Sequence, residues 1–131
     1  MKITFFTLIV LLLGLSGKVD GQEIQNNSRS IIGYIEDGTV MNKTRSIVGY
    51  VDDGTIMNRS RSIIGYIKDG TVMNSSRSII GYIDGNTVKN KLRSIVGYVQ
   101  DGKVMNKTRS IIGYYKGVES SEAALLFFFF L

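Results

Sequence analysis

The stretch RSIIGYIEDGTVMNKT, residues 29–44, is followed directly by a near copy, RSIVGYVDDGTIMNRS, residues 45–60. The segment RSI(I/V)GY returns every 16 residues, and the segment DGx(V/I)MN lies between most of its copies. Five complete units follow one another, and a sixth stops after its first half, at Tyr115. Self-similarity at a fixed period is the signature of a repeat architecture. This period therefore decides the fold class.

Each unit predicts two strands and two turns. The first strand, residues 30–35, is rich in β-branched and aromatic residues. Glu36–Gly38 then predicts a three-residue loop, a type I turn closed by a bulge whose last residue has positive φ. In the fourth unit Asn86 falls at that position, and asparagine tolerates it. The short second strand, residues 39–41, leads into a tight turn whose first residue, Asn42, can bond the following backbone.

These units predict a continuous antiparallel meander of about eleven strands. A parallel β-solenoid with 16-residue coils is the alternative, and it is disfavoured because both turns resemble hairpin reversals. Strict alternation places Ile31, Gly33 and Ile35 on one face and Ile32 and Tyr34 on the other, so both faces are largely apolar. Glycine at mid-strand in six copies suggests close backbone approach. We therefore expect an all-β fold with hairpins in a closed or radial, flower-like or barrel-like array and a short C-terminal helix.

The repeated IGYI followed by DGxV, on a period near 16, resembles the four-fold beta-flower proteins, a family of small exported bacterial proteins. The resemblance covers residues 29–115, most of the chain. It implies hairpin petals around a pseudo-symmetry axis. The five and a half units of this chain depart from four-fold symmetry, and the resemblance carries over no functional residues.

The chain divides into four segments by composition. Residues 1–21 are typical of a secretory signal peptide, with Lys2 before an apolar run and small residues before the expected cleavage site. An uncleaved membrane anchor is the alternative. A linker, 22–28, precedes the repeat domain, 29–116, and the apolar tail, 117–131. We expect an exported protein, periplasmic or extracellular, whose mature form has 14 basic and 10 acidic residues and a net charge of +4.

The sequence contains no cysteine and no histidine. It therefore lacks thiol nucleophiles, thiolate metal ligands and the commonest general base. We predict no catalytic residue, no cofactor and no metal site, and hence no enzyme. The turn carboxylates represented by Asp37 could form a ring of calcium ligands, but Lys68 precedes one of them, and turn formation explains them more simply.

Two repeated columns are candidates for ligand contact. Aromatic rings beside guanidinium groups can stack on sugars, and six arginines accompany six tyrosines in register. The tyrosines are Tyr34, Tyr50, Tyr66, Tyr82, Tyr98 and Tyr114. The alternative is that tyrosine packs between petals while arginine keeps the turns soluble. The basic residues are spread evenly along the sequence, and the modest charge disfavours nucleic acid.

The tail departs from the repeat. Ser121 and Glu122 followed by good helix formers predict a helix start, and nine consecutive apolar residues, Ala123–Leu131, are too few to span a bilayer as a helix. The tail could dock on the β body, add a strand, or insert into a membrane or partner. Phe127, Phe128, Phe129 and Phe130 are candidate contacts for the last fate. The sequence thus predicts a non-catalytic structural or binding module of unknown partner, whose tail either completes the core or anchors the protein to the cell envelope. The alternative is a glycan- or cell-surface-binding protein that uses the tyrosine and arginine columns.

Overall fold

The computed structural model describes residues 22–130, which form a closed barrel of twelve antiparallel strands with a helix at the C-terminal end. Long and short strands alternate, and each pairs with its neighbours in the chain. The antiparallel pairing excludes the solenoid and confirms the closed array. The strands are β1 Glu23–Asn26, β2 Ile31–Glu36, β3 Thr39–Asn42, β4 Ile47–Asp52, β5 Thr55–Asn58, β6 Ile63–Lys68, β7 Thr71–Asn74, β8 Ile79–Asp84, β9 Thr87–Asn90, β10 Ile95–Gln100, β11 Lys103–Asn106 and β12 Ile111–Lys116.

The two ends of the repeat region close the barrel. Strand β1 pairs with β12 in the register Gly113↔Asn26 and Tyr114↔Gln25, the same register that β3 adopts against β2. The half unit at the C-terminal side is therefore completed by a strand from the N-terminal side. The prediction of a linker over residues 22–28 is therefore wrong for the residues of β1. Sequence reasoning missed this strand because EIQN shares only its asparagine and one apolar position with TVMN.

The turn at one end of each hairpin is shorter than predicted. Glu36 pairs directly with Thr39, so the loop has two residues, and Asp37 and Gly38 have φ values of 50° and 82°. Positive φ at both central positions defines a type I′ turn, which matches the right-handed twist of the strands. The prediction of a type I turn closed by a bulge is therefore wrong for this loop. In the fourth unit Gly85, and not Asn86, has the positive φ, at 61°, as a type II′ turn requires.

The turn at the other end of the hairpins follows the predicted role of asparagine. The Asn42 Oδ1 atom accepts hydrogen bonds from the backbone N–H groups of Thr44 and Ser46, both at 3.0 Å. The backbone N–H of Arg45 donates to the carbonyl oxygen of Asn42 at 2.9 Å. Arg45 has a φ of 67°, and the arginines of the other five units lie between 66° and 67°. Each of these six turns, which we call the Asn turns, thus holds an arginine in the left-handed region, a conformation that sequence reasoning did not anticipate.

A β-bulge in each long strand changes which residues face the core. In β4, Val40 pairs with Gly49 but Met41 pairs with Ile47, so two residues of the long strand oppose one of the short strand. The prediction that Ile31 shares a face with Gly33 while Ile32 points away is therefore wrong. Ile32 packs against the buried cluster, whereas residues at the position of Ile31 are up to 44% exposed in other units. The bulge thus gives the strands one apolar inner face.

The C-terminal tail enters the lumen and packs against the inner faces of the strands. Helix α1, Ser120–Leu125, continues into a π-helical turn, Leu126–Phe130. Ala123 and Ala124 are completely buried, and they contribute to the same core as Val88, Val99 and Val104. Barrels of about eight strands can be filled by their own side chains, but twelve strands enclose a wider space. Of the predicted fates, docking as a helical plug is the one observed.

The phenylalanines of the π-helical turn meet the mid-strand glycines of four units in reverse order. Phe127, Phe128, Phe129 and Phe130 lie against Gly113, Gly97, Gly81 and Gly65 respectively. A Cβ atom on Gly81 would lie 2.5 Å from the Phe129 ring, so only glycine leaves room for it. An α-helix turns by about 100° per residue, whereas six units in a ring are separated by about 60°. The wider π-helical turn rotates less per residue, which brings successive rings closer to the spacing of successive units.

No helix within residues 22–130 is long and apolar enough to cross a membrane.

Candidate anion-binding surface

The closed barrel sorts the charged residues by end. The six Asn turns, residues 26–30, 42–46, 58–62, 74–78, 90–94 and 106–110, lie at one end of the barrel and contain no carboxylate. They contain ten basic residues: Arg29, Lys43, Arg45, Arg59, Arg61, Arg77, Lys91, Arg93, Lys107 and Arg109. The rest of residues 22–130 has ten carboxylates and only Lys68, Lys89, Lys103 and Lys116. We call the end that carries the Asn turns the basic rim.

Sequence reasoning missed this separation. Along the chain the basic residues are evenly spread. Their common position becomes visible only when the 16-residue units are aligned and compared for charge as well as for hydrophobicity. The period locates basic residues at the position of Arg45 in every unit and at the position of Lys43 in four units. Because every hairpin points the same way, equal positions in the repeat become neighbours around the barrel.

Each arginine of the repeat stacks on a tyrosine of the preceding unit. The Arg45 guanidinium carbon lies 3.9 Å from the centroid of the Tyr34 ring, and all six such distances fall between 3.8 and 4.0 Å. The series includes Arg29 over Tyr114, so the stacks continue across the join between β1 and β12. The result is a complete ring of six stacks on the outer wall, which we call the Arg–Tyr belt.

The stacks change how the tyrosine column can act. All six tyrosines are half-buried, and the guanidinium groups lie over their rings, while the arginines themselves are exposed. A sugar therefore finds a guanidinium group where sequence reasoning expected an open aromatic ring. The planar guanidinium, held by stacking, keeps its N–H edges available for a carboxylate or sulfate, which it can bind with two parallel hydrogen bonds.

Among the described residues, one member of the Arg–Tyr belt has a carboxylate partner. The Arg45 Nη1 atom lies 3.1 Å from the Glu36 Oε2 atom, and this hydrogen bond raises the pKa of Arg45. The next long strands carry Asp52, Lys68, Asp84 and Gln100 at the position of Glu36. The geometry of the Arg45 pair shows that these guanidinium groups can bind an acidic oxygen on the outer wall.

Grooves on the outer wall expose the stacks to solvent. One groove of 550 Å³ is lined by Tyr66, Arg77 and Asp53 among other residues. A second groove of 270 Å³ lies at the join, and it is lined by Tyr114, Arg29 and Asp101, the equivalent residues of the repeat. The grooves are polar, and each offers a guanidinium group to a ligand that lies along the wall.

The remaining candidates lie elsewhere. Phe127–Phe130 are partly buried in the lumen against the glycines, away from the Arg–Tyr belt. The turn aspartates represented by Asp37 occupy the first central position of type I′ turns at the end opposite the basic rim. Within residues 22–130 no three histidine, cysteine, aspartate or glutamate side chains come together as a set of metal ligands.

A family model described as 5-fold beta-flower protein matches residues 21–131, almost the whole chain. The match confirms the resemblance to beta-flower proteins and corrects its four-fold form. Five hairpins of the barrel are continuous in the chain, and the sixth two-stranded unit joins its two ends. No curated protein and no solved structure matches the chain.

Proposed function

The chain belongs to the 5-fold beta-flower family, and we propose that it is an exported, non-catalytic module that binds acidic glycans through the Arg–Tyr belt and the basic rim. Export is inferred from the signal-like residues 1–21, which lie outside the described residues. A periplasmic or extracellular location would bring the protein into contact with envelope and matrix polysaccharides. The absence of histidine and cysteine from the sequence supports a binding role over a catalytic one.

The separation of charge is the observation that carries the proposal. Ten basic residues and no carboxylate in the six Asn turns produce a positive potential at one end that the net charge of the chain does not reveal. Such a concentrated potential attracts polyanions and accelerates their association. The six stacked guanidinium groups add defined positions at which single carboxylate or sulfate groups can bind.

The shape of the belt favours a polymer over a flat surface. The stacks are distributed around the whole circumference, from Arg29 over Tyr114 to Arg109 over Tyr98. A flat membrane could reach only the part of the belt on one side of the barrel, or the tips of the turns at its end. A flexible polysaccharide can follow the wall and contact several stacks in succession, and several weak contacts on one chain reinforce one another.

The test compares binding of the protein to heparin, polygalacturonate and neutral dextran across a range of salt concentrations. One variant replaces the four basic residues at the turn tips with glutamine, K43Q/R59Q/K91Q/K107Q. The matched control replaces the four lysines outside the basic rim, K68Q/K89Q/K103Q/K116Q. Both variants lose four positive charges, so they have the same net charge and differ only in where the charge is lost.

We expect the wild type to bind one or both polyanions, to ignore dextran, and to release the polyanion as salt screens the charges. The variant at the turn tips should bind about tenfold more weakly or worse, while the control should bind almost as the wild type does. Equal losses in the two variants would indicate net charge alone and contradict the proposal. Binding to vesicles with anionic lipid, without binding to either polysaccharide, would also contradict it.

A further inference from the structure

Two of the six mid-strand glycines differ from the others. Gly65, Gly81, Gly97 and Gly113 each face a phenylalanine ring, as described above. For Gly33 and Gly49 the atoms nearest to an added Cβ are backbone atoms, the carbonyl oxygens of Met41 at 2.7 Å and Met57 at 2.5 Å. No ring of the described chain occupies the space in front of these two glycines at that range.

A cavity lies at this place. It has a volume of 230 Å³ and is lined by Ile24, Gly33, Val40, Val48, Leu126 and Phe130 among others. A smaller space of 50 Å³ beside Gly49 shares Val40, Val48, Leu126 and Phe130 with it. No charged side chain lines either space. Tyr34 and Asn42 also line the larger space, so the cavity is a mainly apolar space between the first two units of the barrel and the last turn of the tail.

Val48 shows that the space is not filled by the described part of the chain. The second residue of each long strand is equivalent in the six units, and five of these six residues are partly buried. The six are Ile32, Val48, Ile64, Ile80, Val96 and Ile112. Val48 alone among them is exposed, at 42%. Val48 belongs to the unit of Gly49, which faces no phenylalanine ring, and it borders both spaces.

We propose that this cavity is a binding site for a small, uncharged aromatic molecule with a single ring. The four other units provide the template, because the same inner surface, with glycine at its centre, receives one phenyl ring in each. A dry cavity of about 150 Å³ lined by aliphatic and aromatic side chains can hold benzene, so 230 Å³ is sufficient for a substituted ring. Phe130 on the cavity wall adds an aromatic partner, which favours a flat ring over an aliphatic chain.

The test uses toluene and indole as probes and the full-length mature protein. Binding is followed by NMR chemical shifts of the Val48 and Leu126 methyl groups and by the melting temperature. We expect saturable shifts at these methyl groups and an increase in Tm of about 4 °C or more at saturation. Cyclohexane, which has no aromatic ring, should bind more weakly.

Two matched variants locate the site. Val48→Phe adds a ring beside the empty space, so it should raise Tm and abolish the shifts caused by toluene. Val96→Phe adds the same ring at the equivalent position of the fifth unit, where Phe128 already occupies the space before the glycine. Overpacking there should lower Tm. Opposite signs of the two changes would show that free volume exists in the first units only.

The proposal is wrong if toluene and indole cause no saturable shift in the wild type at concentrations up to their solubility. It is equally wrong if only a variant that ends at Phe130 binds them, because Leu131 would then compete for the cavity in the natural chain. Unchanged binding in Val48→Phe would place the probes elsewhere on the protein. Tyr34 of the Arg–Tyr belt lines the cavity, but no guanidinium or ammonium group does, so this inference does not depend on the glycan proposal.

Discussion

The guanidinium group of Arg29 lies over the ring of Tyr114, with its carbon 3.8 Å from the ring centroid, although the two residues come from opposite ends of the repeat region. The other five stacks join neighbouring units along the chain. The join between β1 and β12 therefore has the same outer-wall contacts as every junction that the chain connects covalently.

The join should be as important for stability as a continuous hairpin. Ile24 in β1 is 1% exposed and belongs to the main core cluster. Ile24→Ala should lower the free energy of unfolding by about 2–5 kcal/mol, the usual range for a buried isoleucine. Ile63→Ala is the control, because Ile63 is 44% exposed and its loss should cost about 0.5 kcal/mol or less. Similar losses in urea denaturation would mean that β1 is not required for closure.

The extent of sequence-based prediction is clearest at this join. The 16-residue period was sufficient to predict antiparallel hairpins and a closed array, because RSIIGY and DGTVMN specify strands and chain reversals locally. It was not sufficient for β1, since only Ile24 and Asn26 match the pattern of TVMN and pairing with β12 is a long-range event. It also placed Ile32 on the wrong face, because a bulge depends on the partner strand as well as on the sequence of the strand itself.

The candidate site was predicted in part for similar reasons. The register of Tyr34 and Arg45 was visible in the sequence, but the left-handed conformation of Arg45 that accompanies the stack was not. Arginine has no intrinsic preference for positive φ, so no propensity could indicate it. The basic rim became visible only when the closed barrel brought equivalent turn positions together.

The Arg–Tyr stacks should make a measurable contribution at an exposed site. A double-mutant cycle with Arg77→Gln and Tyr66→Leu should give a coupling energy of about 0.5–1 kcal/mol, typical of an exposed cation–π pair. The two groups are 4.0 Å apart. The same cycle with Arg77→Gln and Tyr50→Leu is the control, because Tyr50 stacks on Arg61 instead. Coupling of equal size in both cycles would contradict a specific stack.

The left-handed arginines should be replaceable by glycine with little net loss. The left-handed conformation costs a non-glycine residue about 1–2 kcal/mol, and the stack returns about 0.5–1 kcal/mol at an exposed site. Arg77→Gly should therefore be neutral or slightly stabilising, whereas Arg77→Ala should lose the stack and keep the strain. Thermal unfolding of the two variants provides the comparison. A glycine variant less stable than the alanine variant would show that backbone strain at Arg77 is negligible.

The tail should be required for a soluble barrel. A chain that ends at Gly117 loses α1 and the rings of Phe127–Phe130. Inner-face residues such as Val72 and Val104, which are fully buried in the intact protein, would then be exposed to solvent. We expect it to unfold or aggregate. Phe128→Ala is the milder test and should cost about 3 kcal/mol. Leu92→Ala is its control, because Leu92 is 79% exposed. A soluble, folded Gly117 chain would contradict the role of the tail as a plug.

The tail should also give the protein a pH-dependent stability. Burial in the first turn of α1, with a smaller effect from Glu119, raises the pKa of Glu122 above its ordinary value. The folded protein therefore binds the Glu122 proton more tightly than the unfolded chain does. At a pH above the raised pKa, the ionised Glu122 carboxylate lowers the free energy of unfolding. This loss of stability disappears as the pH falls below the ordinary pKa of glutamate. Glu122→Gln should raise Tm at pH 7 and bring no gain below pH 4 or so.

Glu119→Gln is the matched control for this titration. It removes the neighbouring charge while it leaves Glu122 in place, so its gain in Tm at pH 7 should be smaller than that of Glu122→Gln. If the two variants and the wild type have the same Tm at every pH, the burial of Glu122 has no effect on the titration.

The non-repeated tail also limits how many units the chain can hold. Apart from its contacts with the tail, each unit pairs only with its two neighbours, and these pairings repeat from one junction to the next. Helix α1 and the four rings, in contrast, have one diameter and suit a lumen of twelve strands. Gain or loss of one 16-residue unit would leave every other hairpin intact, but the tail would then no longer fit the lumen. Within residues 22–130, a segment that does not repeat thus restricts the number of repeats that the barrel can hold.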